Sequence, residues 1–303
     1  MNNNGFPYTL ESVRQFAATA AGVGECVSRF ALAAANFTPI YREPGIESID
    51  EIDDLIGSNA DVQDPLLTAH RLAKFYMIST GDALLACCDM IRKDHPLHIG
   101  SAALARSGAE HGSKVMYLAD PEIGWKVRTL RAYALFRDGL SEYKSSNHDG
   151  VTKLISAWDK WRDRTGKDYK GTPKQSVSSN RALIENHFSH ALAYDELSRP
   201  THGNAIWMTL AALHEQQGTT YTWCATLRNF TFALDVGLAA SDRLCELWGL
   251  DRDEVLAALA KHHSVQLPTW AELNRQCEMV RVGVDKLAAA VDMTLTDDPQ
   301  PRR

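Results

Sequence analysis

An apolar stripe near the start of this chain constrains its fold more than any other feature. From Leu10, the residues Val13, Phe16, Ala20, Val23, Val27, Phe30, Ala34 and Phe37 recur at alternating spacings of three and four. A helix with 3.6 residues per turn places such positions on one face, and a strand does not. Sustained from Leu10 to Phe37, the pattern predicts a long helix buried along one side, with Thr9 placed to cap it. Such a helix packs inside a bundle or forms the seam of a dimer, so a homodimer is a candidate assembly.

Nothing downstream argues for strands. No segment alternates apolar and polar residues between turn signals, and no repeat of fixed period is present. A second helix is predicted from Leu66 to Lys93 and a third from Leu97 to Leu118, with Asp94 as its cap. The third is rich in Ala, Ser and Gly, which lets neighbours approach closely and predicts a central position. Asp120-Pro121-Glu122 reads as the start of a fourth helix, with proline in the first turn and acids at the positive end of the dipole. A short helix around Trp158 and Trp161 follows. Then come Asn180–Leu197 (capped by Ser178 or Ser179), Ala205–Gln216, Thr219–Trp248, a short helix after Asp251, and Thr269–Met293. The expected fold is all-α: a single large helical bundle of about eight to ten helices, with no significant sheet. One domain is expected over 1–303, with an acidic loop at 38–65 and a disordered tail at 296–303.

Composition narrows the class. Hydrophobic residues make up 45% and charged residues 23% of the 303 positions, which is globular usage. The longest apolar runs fall well short of the roughly 20 residues that span a bilayer, and no signal-like start is present. The expectation is therefore a cytoplasmic protein with no membrane partner. The six cysteines form no paired spacing, so reduced, buried thiols are expected rather than zinc ligands. The net charge of −6 is local, because residues 42–64 carry eight acids against Arg42 and the rest of the chain sums to +1. A polyanionic partner is thus compatible with the remaining surface. There is no glycine-rich phosphate loop, nucleophile elbow, HExxH or ExxH, and no cofactor or metal is assigned.

Four places could hold chemistry. Arg106 and Glu110 lie one turn apart on the third helix among small and apolar residues, with His111 close behind. On the Asn180–Leu197 helix, His187, His190 and Tyr194 share one face between leucines, a pattern suited to proton transfer, to a metal or to an anion. The following turn gathers Ser198, Arg199, Thr201, His202 and Asn204. Lys160, Arg162, Arg164, Lys167 and Lys170 are interleaved with Trp158, Trp161 and Tyr169, a composition that can follow a nucleic-acid backbone and stack bases.

Some of these residues carry a resemblance. The run Leu104-Ala105-Arg106-Ser107-Gly108-Ala109-Glu110 is followed by Leu118-Ala119-Asp120-Pro121, by Arg128 and Arg131, and later by Tyr194, Leu197, Ser198 and His202. It resembles a group of all-helical bacterial proteins whose layout is similar to HEPN-type domains. The match covers about a third of the chain, from near 100 to 205. The resemblance implies a metal-independent RNase or toxin/defence-type protein in which an arginine is followed after four to six residues by a histidine. Arg106–His111 and Arg181–His187 have that spacing, although the residue after each arginine (Ser107, Ala182) departs from the usual polar Asn, Asp or His. In this reading His111 deprotonates a 2′-hydroxyl, Arg106 holds the phosphate, and the Lys153–Lys174 stretch steers RNA. A second reading is a metal-dependent or proton-transfer enzyme using Glu110, His187, His190, Tyr194 and His202 in the bundle core. A third is a non-catalytic binding or scaffolding protein whose polar interior only specifies packing.

Overall fold

A computed structural model describes residues 8–36, 41–56, 62–141, 143, 149–188, 193–216 and 221–296. Among these residues there are twelve α-helices, one 3-10 turn and no strand. The all-α expectation therefore holds, while the helix number exceeds the expected eight to ten. Two of the extra helices have specific origins. The acidic stretch contains α2 (Ile49–Ile56), held by buried Ile49, Asp53 and Ile56 on one face. The helix expected over Asn180–Leu197 is two helices, α7 (Asn180–His187) and α8 (Ala193–Thr201).

The centre is built from α1 (Leu10–Asn36), α3 (Pro65–Ile91), α4 (His98–Leu118) and α10 (Tyr221–Trp248), which pack on one another. In α10, 17 of 28 residues are buried, so it is enclosed on most sides. The stripe of α1 is used inside the chain: Val13, Ala20, Val27, Phe30 and Ala34 are at most 2% exposed. They face α3, α10, α11 (Arg252–His263) and α12 (Trp270–Thr296), and Phe30 meets Trp270 with ring centroids 4.9 Å apart. Close approach of α4 to α10 depends on Gly112, where an added Cβ would run into the Val236 side chain.

Two helix starts match the capping residues read from sequence. Thr9 Oγ1 accepts from the Ser12 amide and Ser179 Oγ from Ala182; α11 is capped by Asp251, expected only to precede a helix, its Oδ1 accepting from Glu254. Two others do not match. Asp94 offers its carbonyl to Arg14 rather than capping α4. Asp120 makes a turn by accepting from the Glu122 amide, so α5 (Trp125–Ser141) begins five residues later. Five of the six cysteines are buried and none is disulfide-bonded. No described helix is long and apolar enough to cross a membrane.

Away from the central helices, α2, α5 and α6 (Asp149–Arg164) enclose a smaller apolar cluster of Ile56, Val62, Leu130, Ala157, Trp158, Trp161 and Tyr169. On another side of the bundle, α7 and α8 pack on α4, and α8 leads into α9 (Ala205–Gln216).

Candidate functional site

The polar residues of α4 and α8 meet where α8 ends. Arg106 projects from α4 with Glu110 one turn further on, and its Nε donates to Glu110 Oε1 at 3.0 Å. This in-helix pair fixes the guanidinium plane. The other two nitrogens reach across to α8: Nη2 donates to the Tyr194 hydroxyl at 2.9 Å, and Nη1 lies 2.9 Å from His202 Nε2. The guanidinium carbon also sits 5.0 Å from the centroid of the Tyr194 ring. Arg106 and Glu110 side chains are 24% and 22% exposed, and His202 is exposed, so the cluster opens to water.

The protonation pattern follows from donor counting. A guanidinium only donates, so His202 Nε2 accepts and the ring proton resides on Nδ1. Three of the five guanidinium N–H groups have partners within the cluster, leaving one on each Nη for a ligand. Burial works against the Arg106 charge, but Glu110 and Tyr194 together more than offset it and hold the arginine above its ordinary pKa.

His202 is placed by the way α8 stops. Gly203 takes a left-handed conformation at φ +63°, which a Cβ would strain. Its amide donates to Pro200 O at 3.2 Å, and the Asn204 amide to Arg199 O at 3.0 Å. These two bonds close a Schellman turn with His202 as its cap residue. Asn204 then caps α9, its Oδ1 accepting from the Trp207 amide at 3.1 Å. The turn is at once a stop signal and the mount for His202.

The other candidates lie elsewhere. His111 follows Arg106 by five residues, roughly 140° further round α4, and faces away. It stacks on Tyr76 of α3 at 6.0 Å, with Nδ1 buried and unpartnered. Burial pushes its pKa down, Lys114 adds to this, and the Glu110 carboxylate and Ser107 carbonyl push back. His187 ends α7, and the chain leaves it through Phe188 in extended conformation, which breaks the expected single face with Tyr194. Phe188 is instead buried, edge-on to Phe232. His187 lines a cleft of about 350 Å³ with Asp235, Asp242, Trp270 and Asn274, and its pKa is lowered by burial, then by Arg131. His190 lies outside the described residues. Among described residues, no three His, Cys, Asp or Glu side chains converge as a metal site.

Lys160, Arg164, Lys167 and Lys170 are exposed and Arg162 is half-buried over the Tyr169 ring, 5.2 Å from its centroid. Trp158, Trp161 and Tyr169 are at most 4% exposed, so these aromatics form a core and offer no face to a base. Their helix α6 packs on α5, apart from the α4–α8 cluster.

The sequence grouped Arg106 and His202 only through the resemblance and carried no sign of a second polar cluster that contains Arg128. Glu43, His70, Arg128 and Trp248 form a network almost wholly out of solvent. Arg128 Nε donates to Glu43 Oε2 at 2.7 Å, and His70 Nε2 meets the same oxygen at 2.9 Å. Trp248 Nε1 donates to His70 Nδ1 at 3.1 Å, which puts the imidazole proton on Nε2, toward Glu43. Burial lowers the His70 pKa and keeps the ring neutral despite Glu43. Sealed from water, this network is structural. In the sequence Arg128 stood out only as part of the resemblance, and Glu43 was indistinguishable from the acids around it.

Compared with protein-family models, with curated proteins and with solved structures, the chain matches none.

Proposed function

We propose that the α4–α8 cluster is the active site of a metal-independent RNase, with Arg106 holding the scissile phosphate and His202 transferring the proton. The observation that carries this reading is the solvent-exposed 2.9 Å contact between Arg106 Nη1 and His202 Nε2. It pairs a phosphate-binding cation with an imidazole nitrogen that is already unprotonated. The RNase-like resemblance stays, but the histidine is His202 from a distant helix rather than His111.

The chemistry needs no co-reactant. A bound phosphate takes the free N–H groups of Arg106, and His202 Nε2, relieved of its contact, accepts the proton of the ribose 2′-hydroxyl. The 2′-oxygen attacks phosphorus and the bond from phosphorus to the 5′-oxygen breaks. Water protonates the departing oxygen and the hydroxide so formed takes the proton back from His202, leaving a 2′,3′-cyclic phosphate and a 5′-hydroxyl end. Arg106 stabilises the charge that accumulates on the phosphoryl oxygens, and Glu110 and Tyr194 hold its plane. Glu110 and Tyr194 are positioning residues.

The test is incubation of the purified protein with single-stranded RNA in excess chelator. Cleavage is expected to leave cyclic phosphate ends. H202A and R106A are each expected to lower the rate by roughly a hundredfold or more. H111A is expected to retain activity. Intact RNA with the wild-type protein, or loss with H111A alone, would overturn the assignment.

A further inference from the structure

The rings of His98 and Trp207 lie 5.0 Å apart, tilted by 39°. His98 opens α4 and Trp207 belongs to the first turn of α9; both are half-buried. The Trp207 amide is bound by Asn204, so the turn that mounts His202 also positions this tryptophan. On α4, His98 and Arg106 are eight residues apart, a rise of about 12 Å along the axis. His98 also lies about 80° round α4 from Arg106, and Trp207 follows the turn that carries His202, so the aromatic pair sits along α4 from the Arg106–His202 cluster at the start of α9. That separation exceeds the reach of the base whose own phosphate sits on Arg106, and suits a base further along the same strand. Ile206, 74% exposed, precedes Trp207 in the chain and Ile99, 44% exposed, follows His98.

Resting on the RNase reading above, we infer that this site takes single-stranded RNA, with one unpaired base stacked on the Trp207–His98 pair while a neighbouring phosphate is held by Arg106. A duplex keeps its bases stacked on each other and cannot present one to the rings. Stacking tolerates any base, because each has a π-face, so little sequence preference is expected.

Binding and cleavage are read separately. A fluorescein-labelled 2′-O-methyl RNA single strand has no free 2′-hydroxyl and measures binding alone, by anisotropy. W207L, which retains apolar packing, is expected to weaken binding roughly tenfold, with W207F close to wild type. An abasic nucleotide moved along the strand is expected to weaken wild-type binding at one position and to have no further effect in W207L. The same strand in a duplex is expected to bind more weakly. H98A is read in the same way should W207L fail to give a wild-type circular dichroism spectrum. Unchanged binding in W207L, or no position-specific abasic effect, overturns the stacking inference. Binding with that coupling but no cleavage of unmodified RNA removes the RNase reading and leaves the single-strand site. Cleavage dependent on Arg106 and His202, with binding indifferent to Trp207, does the reverse. No binding at all removes both.

Discussion

Arg128 is 0% exposed and bonds both Glu43 oxygens and the carbonyls of Leu118, Asp120 and Ile123. An ion pair so enclosed recovers its desolvation cost only while both partners remain. R128M is therefore expected to cost about 3–5 kcal/mol in urea unfolding, because Glu43 keeps its charge without a counter-ion. E43L/R128M should recover much of that loss, since an apolar pair leaves no stranded charge. A loss below about 1 kcal/mol for R128M would show that Glu43 finds water or takes up a proton. Glu110 offers a different single-residue test. Its carboxylate raises the His111 pKa, whereas the carboxylate acting on His187 is Asp120. E110Q should accordingly lower the His111 pKa and leave His187 unchanged in an NMR titration. A shift at His187 would mean that α7 lies nearer to Glu110 than described.

Helices were legible in the sequence where local chemistry and burial agreed. The stripe of α1 is one case, and the caps Thr9 and Ser179 are others, each cap satisfying an amide within its own first turn. Where a distant contact decides, the local signal misleads. No Gly or Pro marks the break after His187; Phe188 turns out of the helix because the core near Phe232 accepts its ring. The junction of α2 and α3 is a second example. Asp53 reads as one surface acid among eight, yet it accepts from the amides of Leu66 at 2.6 Å and Leu67 at 3.0 Å. Burial pushes its pKa up to about 6, against the pull of those two bonds. A raised carboxyl pKa favours the protonated form in the fold. Its stabilising contribution is full below the ordinary Asp value near 4 and is lost as pH rises through about 6. From pH 4 to 7 the wild type should therefore lose stability relative to D53N, by at most roughly 1.4 kcal/mol per pH unit. Urea melts of both proteins across that range measure the slope, and a slope of opposite sign would show that the helix-end amides win.

At the scale of the whole chain, the candidate site was legible as residues and not as an arrangement. Arg106, Glu110, Tyr194 and His202 all stood out by type and setting, but their meeting depends on the break before α8 and on the turn at Gly203. The single apolar interior expected of one bundle is also divided. Trp161 and Tyr169 belong to a small cluster closed by α2, α5 and α6, while α4 and α10 sit in the larger core. Trp161 Nε1 is buried there with no hydrogen-bond partner, a cost to the closed form. A smaller cluster with an unsatisfied polar atom should open before the centre does. Native-state hydrogen exchange is expected to show the α6 amides exchanging through openings of lower free energy than those of α10. W161A, which truncates a fully buried ring, should widen that gap, because its cost of about 3–5 kcal/mol falls on the local opening. The RNA cleavage proposed for the α4–α8 cluster should persist in W161A, since α6 packs on α5 and supplies no residue to that cluster. Equal exchange free energies in α6 and α10 would mean that the two clusters melt as one unit. The Glu43–Arg128 network, which ties the segment before α2 and α5 to Trp248 at the end of α10, would then be the link that makes them cooperative.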